Sequence, residues 1–254
     1  MNLIVQTYYM YVRNLRILLR LPVALFPPIF IPAFLFLVFS AAFGEVARLP
    51  GFPAEDYKSF LVSLIIFQTV IFSGGDTAFG MMTDIMSGYL DKLLLAPINR
   101  FAILLGALLL AGSRAAVQVT VVVLFALALG VNFEGGPGGI VAIILFGGIF
   151  GMVWSCIGII IALRTKNPQA TQASFVLFFP AMFLTTAFMP RELLSGWFEV
   201  AVTINPINYI LEGVRAIVIQ GWEWSTILKG LWALLGMAVV LIGSATLAFR
   251  RATV

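Results

Sequence analysis

GMMTDIMSGYLDKLLLAPINR, residues 80–100, is the stretch on which the reading of the fold turns. Met82, Ile85, Met86, Tyr89, Leu90, Leu93 and Leu94 recur at helical spacing, while Asp84, Ser87, Gly88 and Asp91 fall on the other side. Pro97 ends the helix, because the residue before a proline avoids the helical region. A short amphipathic helix over residues 83–97 therefore sits between two strongly apolar runs. Such a helix suits either a lipid surface or a docking partner. Lipid-lying helices usually carry Lys and Arg on the polar face. Here Asp84 and Asp91 stand against Lys92 alone, which favours a protein partner.

The runs on either side set the class. Of the 254 residues, 61% are hydrophobic and 10% charged, against roughly half and a quarter in soluble domains. This is the composition of an integral membrane protein, with room for about six spans of ~20 residues. The net charge of +4 does not signal nucleic acid, because the basic residues are spread along the edges of the spans. Cys156 is the single cysteine and excludes an intrachain disulfide; there is no histidine, so the commonest general base and metal ligand is missing. No Gly-Lys dipeptide occurs, hence no phosphate-binding P-loop. Only scattered carboxylates are left to support catalysis, and the chain does not read as an enzyme. No cleavable leader is expected, since the first apolar run follows an amphipathic stretch and is long enough to span.

In chain order, residues 3–20 read as an interfacial amphipathic helix, with Gln6, Arg13, Arg16 and Arg20 on one face and Val5, Tyr8, Val12, Leu15 and Leu19 largely on the other. The first span, residues 23–43, contains Pro27, Pro28 and Pro32 and is kinked or begins late. The second, 60–82, and the third, 101–131, each carry one charge. Asp76 lies sixteen residues from Phe60 and Arg114 seventeen from Val131; at 1.5 Å per residue both sit roughly 25 Å from the outer boundary. Embedded charges pair or face water, so Asp76 and Arg114 read as an ion pair, the alternative being that each snorkels separately. The fourth span, 140–163, sets Gly147, Gly151 and Ser155 four apart, a small-residue face for close helix packing. The basic loop of Arg164, Thr165, Lys166 and Asn167 is the second inner loop. The fifth span, 170–190, is rich in phenylalanine around Pro180. Residues 191–226 carry too many charges for an ordinary span and read as two re-entrant outer half-helices hinged at Asn205 and Pro206. The sixth span is 230–249. Nine basic residues on inner segments against five on outer ones put both termini on the cytoplasmic side.

GYLDKLLLAPINRFAILLG (88–106) resembles the segment after the second span of ABC-2-type permeases, the membrane subunits of ABC transporters. FLTTAFMPRELLSGWFEVAVTINPINYILEGVRAIVIQGW (183–222) is similar to their Pro-containing exit from the fifth span, their Asn-Pro-x-x-Tyr, here Asn205, Pro206 and Tyr209, and their Glu-x-x-Arg, here Glu212 and Arg215. The resemblance implies an all-α polytopic fold in which residues 83–97 are a coupling helix. That helix would use Asp84, Ile85, Met86, Tyr89, Leu90, Asp91, Leu93, Leu94 and Pro97 to dock in a separate ATPase, present in two copies, that binds ATP and Mg; this chain itself needs no cofactor. It implies a path between protomers lined from spans two and five by Phe67, Phe72, Phe175, Phe179, Met182, Phe183 and Thr186, in the cell inner membrane; the absence of charged side chains from most spans points to an amphipathic or lipid-like cargo over ions. Six spans are too few to enclose such a path, so a two-fold homodimer is expected, spans one and five nearest the partner. The competing reading is an ion-coupled secondary transporter, which would show two mirrored hydropathy halves and several buried acids. Here Asp76 is the one deep acid.

Overall fold

Without water to accept their backbone hydrogen bonds, apolar runs in lipid fold into helices that satisfy themselves. The computed structural model describes residues 2–20, 26–48, 54 and 56–252. The start of the expected first span, Pro50, Pro53 and Glu55 of the first outer loop, and the side chains of Phe175 and Phe178 lie outside the described residues. Eleven α-helices and no strand occur among the described residues. They are α1 (Leu3–Leu19), α2 (Pro27–Phe43, continued by a 3-10 turn over Gly44–Arg48), α3 (Tyr57–Met86), α4 (Tyr89–Leu95), α5 (Arg100–Ala128), α6 (Gly136–Thr165), α7 (Pro168–Ala173), α8 (Phe178–Phe183), α9 (Trp197–Ile204), α10 (Pro206–Ile219) and α11 (Trp224–Ala252). Among the described residues, five segments are long and apolar enough to cross a membrane: Pro27–Ala47, α3, α5, α6 and Trp224–Arg251, with a sixth if the bent pair α9–α10 counts as one.

α3 is the axis. It packs against α2, α5, α6 and α10, and Phe60, Leu61, Leu64, Ile65 and Ile66 along it are at most 1% exposed. Asp56 starts it by accepting a hydrogen bond from the Lys58 N–H at 3.2 Å. Its 30 residues are about 45 Å long, well beyond the ~30 Å of hydrocarbon, so one end projects from the bilayer. α5 begins on an Asn99 cap, runs back along α3, and meets α6 through small residues. A Cβ on Gly147 would lie 2.7 Å from Val119 Cγ2, and one on Gly151 2.5 Å from Ala115 Cβ. Only hydrogen fits there, and the small-residue face serves this internal contact.

Two segments depart from the expectation. Residues 170–190 do not form one helix: α7 gives way to a 3-10 turn over Ser174–Leu177, α8 restarts for six residues, and helix ends at Leu184. Pro180 sits in the first turn of α8, where a missing N–H costs nothing, and its ring opposes a continuous helix from upstream. The carbonyls freed by the break are taken up by protein: Asn205 Nδ2 donates to the Ala181 and Leu184 carbonyls at 3.1 and 2.8 Å. The second departure is at the chain's middle. The helix expected over 83–97 is instead the end of α3 followed by the seven-residue α4. They are separated by Gly88, whose φ of +67° is a left-handed turn that glycine adopts without strain. Ala96, before Pro97, is extended and closes α4. The half-helices near Asn205 do form, bent by 79°.

Gly151→Val is expected to lower the thermal midpoint of the purified protein by overpacking α5 against α6, at about 1–3 kcal/mol. Gly243→Val should leave it unchanged, because nothing lies within 4 Å of a Cβ there. Equal midpoints for the two variants would show that the seam is not tight.

Candidate functional site

α4 has two faces. Leu90 and Leu93 are each 6% exposed and close a cluster with Met81, Ile103, Leu104, Leu163, Ala248 and Phe249, which gathers the ends of α3, α5, α6 and α11. Both residues, expected on the docking face, therefore anchor α4 to its own bundle. Helical periodicity marked an apolar stripe correctly but could not tell an internal neighbour from an external one. The outward face of α4 is Tyr89, Asp91, Lys92 and Leu95 (89% exposed), flanked by the exposed Met86 (67%) at the end of α3 and by Pro97; Ile85 and Leu94 are half-buried. Leu95, the most exposed large apolar side chain of the region, was missed by the sequence reading, which stopped the stripe one residue short.

Asp84 does not face outward either. Arg13 of α1 clamps it with two hydrogen bonds, Nη1 to Oδ2 at 2.6 Å and Nη2 to Oδ1 at 2.5 Å. The same guanidinium carbon lies 4.2 Å from the centre of the Tyr89 ring. Hydrogen bonding to the Asp84 carboxylate raises the Arg13 pKa above its ordinary value, against a smaller opposing effect of burial. α1 is held on α5 by the Asn99 N–H donating to Gln6 Oε1 (2.9 Å) and by the Tyr11 hydroxyl donating to Ser113 (3.3 Å). Val5, Tyr8 and Leu19 stay exposed, as a lipid-facing side requires.

Eight residues before Asp84 in α3, Asp76 Oδ2 accepts a hydrogen bond from Arg114 Nη2. The Arg114 side chain is 6% exposed and that of Asp76 36%. One turn beyond Arg114 is Gln118, fully buried, whose two amide atoms make no hydrogen bond among the described residues. It was not singled out in the sequence, though a polar residue inside an apolar span is itself a signal.

The second polar centre lies at the opposite end of α3. Arg215 of α10 is 9% exposed. It donates from Nε to Ser63 Oγ (3.2 Å), from Nη1 to Thr186 Oγ1 (3.3 Å) and from Nη2 to the Ala187 carbonyl (3.3 Å), with its guanidinium carbon 3.7 Å from the Phe60 ring centre. Asn208 Oδ1 accepts from the Thr186 N–H at 2.8 Å, and Asn208 Nδ2 donates to Glu212 Oε1 at 2.9 Å. Asn205 caps α10 by accepting from the Ile207 N–H at 3.0 Å, with Pro206 in the first turn, and the Tyr209 hydroxyl donates to the Thr203 carbonyl at 2.8 Å. Asn205, Tyr209, Glu212 and Arg215 thus hold one bend. Thr186, expected along a path, belongs to this knot at 1% exposure. Met182 is buried too, as is Phe67, which packs 4.7 Å from Phe150. Those three are enclosed because they lie on the inward sides of α3 and of the broken segment. Phe72 is half-buried, and Phe179 and Phe183 are exposed, their rings 6.3 Å apart. Where α6 gives way to α7, Arg164, Thr165, Lys166 and Asn167 are exposed, Lys166 in the left-handed region (φ 49°) and Asn167 capping α7 through Gln169 N–H at 2.8 Å.

The sequence profile described as ABC-2 type transporter matches residues 5–219. This chain belongs to the ABC-2 type transporter family. Among its relatives, the daunorubicin resistance ABC transporter permease protein DrrB1 of Streptomyces coeruleorubidus is 26% identical over 198 residues, 76% of this chain and 68% of DrrB1. The putative transport permease ycf38 of Cyanophora paradoxa is 27% identical over 214 residues, 83% of this chain and 73% of ycf38. The probable multidrug ABC transporter permease YbhR of Escherichia coli (strain K12) is 30% identical over 203 residues, 78% of this chain but 54% of YbhR. The chain is a multi-pass permease of the ABC-2 type, a family that works with ATP-binding subunits.

In this permease the two partners of the deep pair are unequally buried. Asp76→Asn would take the paired carboxylate from a buried guanidinium, at about 3 kcal/mol; Arg114→Gln leaves a carboxylate that water can still reach, at about 1 kcal/mol. Thermal unfolding of both variants and of the double variant is expected to show that order and partial rescue in the double. Additive losses would show that the two charges act separately.

Proposed function

We propose that two copies of this permease form a path for an amphipathic or lipid-like cargo, and that ATP hydrolysis in two copies of a separate ATP-binding subunit drives export. That subunit would hold ATP and Mg. Residues 1–254 would serve as a single transmembrane domain in the cell inner membrane, both termini cytoplasmic. The observation that carries this reading is the construction of α4: Leu90 and Leu93 fix it to four membrane helices while Met86, Tyr89 and Leu95 stand exposed beside Asp91 and Lys92. Exposed apolar residues ringed by charge suit a protein surface. The second inner loop and the C-terminal end of α11 lie at the same end of the bundle. Relatives named for daunorubicin resistance and as a multidrug permease support a drug-like amphipathic cargo. The exposed pair Phe179 and Phe183 is the natural part of the broken segment to face that path or the second copy. An ion-coupled mechanism has less support, because the one deep acid, Asp76, is engaged by Arg114.

With the cognate ATP-binding subunit reconstituted in liposomes, Met86→Asp with Leu95→Asp is expected to cut permease-stimulated ATP hydrolysis at least ~10-fold, the equivalent of losing about 1.4 kcal/mol of coupling. The thermal midpoint should be unchanged, since neither side chain is buried. Undiminished stimulation would overturn the docking role of α4.

A further inference from the structure

A cavity of about 350 Å³ lies between α1, α3 and α5, lined by one copy of the chain. Its walls are mostly apolar, with Ile17, Leu18, Phe79, Ile103 and Leu110 among them beside the neutral polar Asn14, Thr77 and Thr83. The Arg13–Asp84 clamp stands at one end and the Asp76–Arg114 pair at the other. Eight residues of α3 separate the two acids, which is about 12 Å of helix.

The two ends differ in what they offer a ligand. At the clamp both carboxylate oxygens of Asp84 already accept from Arg13, and the two side chains are about equally covered, 24% and 20% exposed. At the deep end both partners line the cavity, but the Arg114 side chain is only 6% exposed and that of Asp76 36%. Asp76 accepts from Arg114 through Oδ2, so its other oxygen is the polar atom best placed to meet a ligand. A reachable carboxylate at the end of an apolar sleeve selects a positive charge on an apolar body. An anion of the same shape meets the more exposed carboxylate and finds a guanidinium that is almost covered.

We propose that this cavity binds a monovalent amphiphilic cation, its charged group on Asp76 and its apolar body lying along α3 toward Arg13 and Asp84. The inference deepens the export function proposed above and rests on it only for the ligand's role as cargo. The binding itself requires no ATP-binding subunit.

Gly80 supplies a variant that fills the cavity from a relaxed position. It lines the cavity within α3, and a Cβ built on it has nothing within 4 Å. Gly80→Phe places a ring in open space and removes a glycine from a helix, so it is expected to fold. The probe is radiolabelled tetraphenylphosphonium, with tetraphenylborate as an anion of matching shape. Both are measured by equilibrium dialysis against the permease alone in lipid nanodiscs, after subtraction of uptake by empty discs. Saturable phosphonium binding at one site per chain is expected, at least ~10-fold tighter than borate. It should be lost in Gly80→Phe and in Asp76→Asn and kept in Asp76→Glu. Equal binding of the two ions, or phosphonium binding unchanged in a Gly80→Phe protein of normal thermal midpoint, would overturn the proposal. If Asp76→Asn fails to fold, Gly80→Phe decides. Since no ATP-binding subunit is present, failure here leaves the coupling role of α4 standing, and failure of that role leaves this result standing.

Discussion

A guanidinium cannot be left alone in hydrocarbon, and the two interior arginines of this permease dictate much of what packs around them. Arg215 draws together Ser63 of α3, the carbonyl of Ala187 and the hydroxyl of Thr186. These come from parts of the chain that would otherwise have no reason to meet. The non-helical stretch after α8 exists inside the fold because of this: its carbonyls and N–H groups are answered by Asn205, Asn208 and Arg215 on or next to α10. Irregular backbone at membrane depth is tolerated only where protein replaces water as its partner. Arg114 does the same for the other end, tying α5 to α3 through Asp76.

What the sequence made legible follows from which regularities are local. Helical rise is constant, so counting residues from the outer ends of two spans put Asp76 and Arg114 at one depth, and the structure brings them into contact. Proline and asparagine act on their own neighbours, so the bend at Asn205 was readable. The partners of a residue were not. The Arg13–Asp84 clamp joins residues 71 apart in sequence with no pattern to announce it. The stripe on α4 was visible as a stripe, but whether Leu90 and Leu93 faced their own bundle or another protein is a question about neighbours that one helix does not contain. Residues 170–190 are apolar enough to suggest one span. Hydropathy weighs composition and is blind to the break that Pro180 and the capture of the Ala181 and Leu184 carbonyls produce.

The arrangement around α4 bears on how a push from outside would travel. α4 follows α3 through a two-residue turn at Ser87 and Gly88 and leads into α5 after Pro97. Leu90 and Leu93 share a cluster with Phe249 of α11 and Leu163 of α6. Arg13 binds α1 to the last turns of α3 and rests on the Tyr89 ring. Displacing α4 alone would open an apolar core and shear a two-pronged ion pair. The lower-energy response is for α1, α4 and the ends of α3, α5, α6 and α11 to move as one body. Gly88 sits at the junction and is the one point there whose backbone can absorb rotation without strain.

The two interior arginines also differ in what can disturb them. Arg215 donates its hydrogen bonds to neutral oxygens and lies on an aromatic face, with the Glu212 carboxylate on the far side of the shared Thr186 hydroxyl, and it is closed off. With its polar groups already engaged inside the protein, the knot behaves as a fixed fastening between α10 and α3. Arg114 is held by a carboxylate that remains partly open to a cavity. Any charge entering that cavity changes the field at Asp76, and with it the strength of the link between α3 and α5. The end of the bundle that carries α4 is therefore the end whose helix contacts can be retuned by what occupies it, while the opposite end keeps its geometry. The asymmetry arises here from setting one buried cation against a carboxylate that lines a cavity and the other inside a closed cluster of hydroxyl, carbonyl and aromatic groups.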